Sequence, residues 1–240
     1  MDEGAGAVRR GRPRRLALPD VVAAAVALAD GDGLDAVSMR TVAARLGAGA
    51  MSLYNYVPDK EALIAAMIEH VSGEQRLPTG PSGDWRADLS VLAREQRALL
   101  HRHPWLVDAL SHRQPLGPNA LAALEFAAAA LAPTGQPAST RLETFALLTG
   151  FVVNVVRTEL ADDAARSASA ADSGRRQREL LELLELLASG RYPHVAAALA
   201  GTGPGADADE PGERFERLLA RMLDGLGAPQ QGASKRPPGG

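Results

Sequence analysis

The 240-residue sequence has no cysteine. That excludes disulfide scaffolds, thiolate zinc sites and cysteine nucleophiles. Aromatic residues make up only 4% of the chain, and lysine is confined to Lys60 and Lys235, so nearly all basic charge is arginine. No segment shows the strict alternation of a half-buried strand. No apolar run reaches the roughly 18 residues needed to span a bilayer. The basic N-terminus leads into a proline and a helical pattern instead of the apolar core of a signal peptide. These absences predict a cytoplasmic location and no membrane partner. His101 and His103 are two apart and point to different sides of a helix, and no glycine loop follows a strand to cradle phosphate. The expectation is no metal, no cofactor and no catalytic group, which disfavours an enzyme.

What is present favours helices. Hydrophobic residues are 46% of the chain, chiefly Ala, Leu and Val. The fold class predicted is all-α. Residues 1–15 are rich in Gly and Arg and are expected to be a disordered basic arm. Pro19 suits the first turn of a helix that ends at "GDG", 31–33. Ser38 is a good N-cap for "MRTVAARL", and Gly47 closes that helix. A third helix is expected over about 49–56 and a fourth from Pro58-Asp59. "LPTGPSG", 77–83, reads as a boundary between a domain at 16–76 and a larger helical domain at 84–227. The larger domain should hold helices at about 84–102, 104–112, 117–132, 138–161, 175–189 and 211–226. The small polar stretch 162–174 and residues 201–212 read as loops, and 228–240 as a disordered tail.

The stretch from Ser38 to Tyr56 meets the demands of a helix-turn-helix. Ala43 is small where two helices cross, and Gly47 can take the left-handed conformation of a tight turn. Val42, Leu46 and Leu53 are spaced to make the core between them. Ala50, Met51, Ser52 and Asn55 are left outward on the third helix. They are small or polar, as a helix entering the major groove requires, and they are the candidate base contacts. Arg40, Thr41, Tyr54, Tyr56 and Lys60 are placed to meet phosphates. The net charge is −3, so DNA binding must rest on local charge. Arg9, Arg10, Arg12, Arg14 and Arg15 form such a cluster, suited to a minor groove. The plainer alternatives are that the tyrosines are packing residues and the arm a solvated tail.

The segment "GLDAVSMRTVAARLGAGAMSLYNYVPDKEALI" strongly resembles the DNA-binding domain of the tetracycline-repressor family of transcriptional regulators. "DWRADLSVLAREQRALLHRHP", "LETFALLTGFVVNVV" and "FERLLARMLDGL" resemble that family's C-terminal domain. The resemblance implies an N-terminal three-helix helix-turn-helix domain joined to a larger ligand-binding and dimerisation domain. It implies a homodimer on a palindromic operator, released by a small-molecule effector, with activation in place of repression as the alternative. A helical module that binds only protein is the rival from another class.

In the larger domain two apolar stripes stand out. One runs through Phe215, Leu219, Met222 and Leu226, the other through Leu147, Leu148, Val152 and Val155. Either could be core of a single chain; the resemblance favours a dimer interface. His101, His103, Trp105, His112, Phe126, Phe151 and Asn154 supply polar and aromatic groups for an effector pocket.

Overall fold

The computed structural model describes residues 16–112, 117–167, 170–200 and 210–227, with no strand among them. The side chains of residues 111, 112, 170–173 and 176 are not described. The arginine arm, the tail and most of the 201–212 loop therefore lie outside the described residues, as does the His112 side chain.

The helices are α1 (Leu18–Asp32), α2 (Met39–Arg45), α3 (Ala50–Leu53), α4 (Lys60–Ser72), α5 (Trp85–Arg102), α6 (Leu106–His112), α7 (Pro118–Leu131), α8 (Ala138–Ser167), α9 (Ala170–Ala188), α10 (Pro193–Ala200) and α11 (Pro211–Gly227). Single 3₁₀ turns occupy Leu34–Ala36 and Ala132–Thr134. The chain forms two compact units. The N-terminal unit takes residues up to Gln75 together with Arg102–Ala122; the body takes Arg76–His101 and residues from Ala123 on. Segment 102–122, with α6 and the first turn of α7, packs with the N-terminal unit.

In that unit α1 contacts both α2 and α4. Val21, Val22, Ala25, Val37, Val42, Ala43, Leu53, Leu63 and Met67 make its core. Gly33 and Gly47 carry the positive φ values, 82° and 65°, that punctuate the helices. In the body, Leu89 and Leu92 of α5 are buried, as are Leu148, Val152 and Val156 of α8 and Phe215 and Leu219 of α11.

Three expectations change. Residues 162–174 are largely helical: α8 runs to Ser167 and α9 begins at Ala170. Alanine is the best helix former, and Arg166 pairs with Asp163 one turn back. Helix α10 has no counterpart in the sequence reading, although Pro193 stands at its first position. Finally, α8 is long and apolar enough by composition to cross a membrane. One face of it is nevertheless body core, and it buries a carboxylate, Glu159, in an ion-pair cluster.

Candidate nucleic-acid interface

The frame of the N-terminal unit is set by caps. Ser38 Oγ accepts the Thr41 N–H at 3.1 Å, and Thr41 Oγ1 accepts the Ser38 N–H at 2.9 Å. The Thr41 hydroxyl donates to the Ala36 carbonyl at 2.8 Å. Asp59 Oδ1 accepts the Ala62 N–H at 2.7 Å and caps α4. The turn between α2 and α3 closes through Ala48 N–H to the Ala43 carbonyl at 2.9 Å. Leu53 is wholly buried and pins α3 to the core.

On that frame the outward residues separate into two groups. Met51 is 78% exposed and Tyr54 47% exposed, and Asn55, Arg40 and Lys60 are exposed too. Ala50 and Ser52 are half-buried. The Ser52 hydroxyl donates to the Gly49 carbonyl. The expected helix over 49–56 is α3 alone, and Asn55 stands in the turn after it. Two expected phosphate contacts are corrected. The Tyr56 hydroxyl donates to the Leu16 carbonyl at 2.7 Å, so its only proton is used inside the chain. The Thr41 hydroxyl is spent on the capping box and on Ala36.

The residues expected to line one effector pocket are not brought together. His103 and Trp105 belong to the N-terminal unit, where both are buried. His103 Nδ1 lies 2.7 Å from Asp30 Oδ1 and its Nε2 3.2 Å from Glu74 Oε2. Trp105 Nε1–H donates to the same Asp30 oxygen at 2.8 Å. These two residues tie α1 to the turn after α4 and to the segment after α5.

His101, Phe126, Phe151 and Asn154 lie in the body, and the His112 side chain is outside the described residues. Phe126 is buried and Asn154 exposed. His101 Nε2 meets Glu159 Oε2 at 2.7 Å, beside Arg97 Nε at 3.1 Å. The Arg97 guanidinium sits 5.0 Å over the Phe215 ring, and Phe215 lies 6.0 Å from Phe151. This makes a line of contacts across α5, α8 and α11. Glu159 was missed in the sequence, yet the 4-3 spacing from Val152 and Val156 puts it on the buried face. Gln96 was also missed: it is 7% exposed, its Nε2 reaches Thr149 Oγ1 at 3.2 Å, and its Oε1 has no hydrogen-bond partner among the described residues. A separate groove of about 500 Å³ between α7 and α8 is walled by Ala128, Ala129, Ala132, Leu142 and Arg141, none of them an expected pocket residue. Across the surface of the body Arg94 and Glu216 form a bidentate pair at 2.7 Å. The bond to Arg94 holds the Glu216 carboxyl below its usual range, and the Arg94 pKa is raised in turn.

The expected dimer seam is corrected as well. Leu148, Val152, Phe215 and Leu219 are wholly or almost wholly buried and Val155 nearly so, inside one chain. A side chain already covered by its own fold has no surface left for a partner. Only Leu147, 59% exposed, and half-buried Met222 and Leu226 retain accessible area.

Residues 21–67 match the family described as bacterial regulatory proteins, tetR family, and residues 77–229 match the tetracyclin repressor-like C-terminal domain. The chain belongs to the tetracycline-repressor family. This regulator is 39% identical over 219 residues to the HTH-type transcriptional repressor DrrR1 of Streptomyces coeruleorubidus, covering 90% of this chain and 79% of the relative. It is 36% identical over 211 residues to an HTH-type transcriptional regulator of Saccharopolyspora erythraea, covering 87% and 83%. Its fold matches the Streptomyces coelicolor protein ActR in complex with actinorhodin, with a TM-score of 0.70 at 26% identity, over 89% of this chain and 97% of that one. The regulator is a DNA-binding protein of transcription control, helical throughout its described residues.

Proposed function

We propose that this regulator is a repressor that binds a roughly palindromic operator as a homodimer and leaves it when a small molecule binds the body. The observation that carries the DNA-binding part is the exposed face of Met51, Tyr54 and Asn55, flanked by Arg40 and Lys60 and held on capped helices. Asn55 is the base reader, through an adenine edge, and Met51 covers a thymine methyl. Tyr54, Arg40 and Lys60 bind phosphate, and the arginines at 9, 10, 12, 14 and 15 add minor-groove contacts. Tyr56 and Thr41 hold the frame and do not touch DNA.

Support for a dimer comes from α9 and α10, which pack on each other while Leu180, Leu181, Leu184, Val195 and Leu199 remain about half exposed. So much open leucine is a surface for a second copy. One short recognition element binds weakly, and two copies about 34 Å apart read successive turns of the duplex. Support for a small-molecule effector comes from the ActR complexes with (S)-DNPA and actinorhodin. In the body, the unpartnered amide oxygen of Gln96 is the group we assign to it. As a DNA-binding repressor the protein works in the cytoplasm.

The test is selection of bound duplexes from a random pool, followed by gel shifts over a salt series. A palindromic site bound by two copies is expected. Tyr54→Phe should weaken binding by roughly tenfold and Tyr56→Phe much less. Failure to enrich any duplex, or equal losses for the two tyrosines, would reject the assignment.

A further inference from the structure

Helix α7 begins with Gly117-Pro118-Asn119, a start with no side chain at the capping position. The missing cap comes from another helix. Glu69 of α4 accepts the Asn119 N–H through Oε1 at 2.7 Å, with the Ala120 N–H 3.5 Å from Oε2. In return the Asn119 amide Nδ2 donates to the Glu69 carbonyl at 3.0 Å. A carboxylate on the first free N–H groups of a helix is favoured by both the orphan donors and the helix dipole.

The approach needs two glycines. A Cβ on Gly117 would stand 2.0 Å from Glu69 Oε2, and one on Gly73 would stand 2.9 Å from Asn119 Nδ2. Neither glycine is among those with positive φ, so the backbone does not require glycine at either place. What requires it is the closeness of α4 to the α7 N-terminus. Helix α4 belongs to the DNA-binding unit, while α7 starts in that unit and continues as one helix into residues of the body, 123–131.

We propose that the Glu69–Asn119 clasp is the link through which this regulator's α4 and α7 move together, so that DNA binding and effector binding are coupled. Glu69 is a positioning residue; it touches neither DNA nor effector. The inference rests on the repressor reading above and adds the residues that carry its regulation. Because coupling is reciprocal, it can be read from the DNA side without knowing the effector.

The probe is the duplex selected above, added to the full-length dimer, with amide hydrogen exchange followed by mass spectrometry. In the wild type, duplex binding should slow exchange in residues 123–131 by roughly fivefold or more. Glu69→Gln and Gly117→Ala attack the clasp from opposite sides. The second leaves the charge in place and pushes the carboxylate aside. Both should bind the duplex within about threefold of wild type yet lose the slowing. If either folded variant keeps it, the clasp does not transmit and the proposal falls. If wild-type 123–131 is indifferent to the duplex, the proposal falls while DNA binding stands. If no duplex binds the wild type, the repressor reading itself falls and takes this inference with it.

Discussion

The DNA-facing frame of this regulator and its body are ordered by contacts of different reach. In the N-terminal unit most of the polar contacts that set the DNA-facing frame span a few residues: Ser38 with Thr41, Thr41 with Ala36, Asp59 with Ala62. In the body the ordering contacts span much of the sequence. Arg97 meets Glu159 across 62 positions and Arg94 meets Glu216 across 122. Short-range caps close at little loop entropy, so they fix a small surface firmly with few residues. Long-range pairs and aromatic packing instead hold together the helices of the body. A surface that reads DNA has to be preorganised, whereas a body that responds to an effector, as proposed above, benefits from contacts that can be exchanged one for another.

The largest test of that contrast is Phe215→Ala. Phe215 is 1% exposed, stacks with Phe151 and lies beneath Arg97. Truncation should cost the body about 3–5 kcal/mol. Chemical denaturation should show it as a lower midpoint. A loss below about 1 kcal/mol would mean the body is not held by this packing.

Next comes the local side. Ser38→Ala removes the cap oxygen from the Thr41 N–H and should cost about 1 kcal/mol. Because the contact is local, hydrogen exchange should quicken in α2 well before it does in the body. Uniform quickening over the whole chain would erase the distinction between the two units.

The same contrast explains what was legible in the sequence. Ser38, Gly47, Asp59 and Leu53 could be placed because their partners are near in the chain. The fold class and most helix positions followed from that and from helical periodicity. The reach of α8 beyond 161 was hidden because small polar residues read as loop, although alanine and the Asp163–Arg166 pair support a helix. The 4-3-4 spacing of Phe215, Leu219, Met222 and Leu226 marks a buried seam, but spacing carries no record of what covers it. Here the cover is the chain's own α8 for Phe215, through Phe151. His103 and Trp105 looked like ligand groups because Asp30, their common partner, lies more than seventy residues away. The Tyr56 hydroxyl was lost to Leu16 for the same reason, across 40 positions.

The smallest effect is the most specific to long-range charge. Glu216 has its carboxyl pKa lowered, first by the hydrogen bond from Arg94. A lowered folded-state value means that the pair's contribution is complete above the ordinary glutamate range, near 4.3, and is lost as pH falls through the folded value. The two side chains are 53% and 46% exposed, so solvent screens the pair and the contribution at neutral pH is about 0.5 kcal/mol. Glu216→Gln should therefore melt slightly below wild type at pH 7, and the gap should close below about pH 4. Added salt should narrow it at neutral pH, because exposed charges are screened. A gap that ignores both pH and salt would show that Glu216 acts through its packing on α11 and not its charge. That long-range ion pair would then belong with the body's apolar contacts, and the charged part of the body's long reach would rest on the other pairs, such as Arg97–Glu159 and Arg86–Asp224.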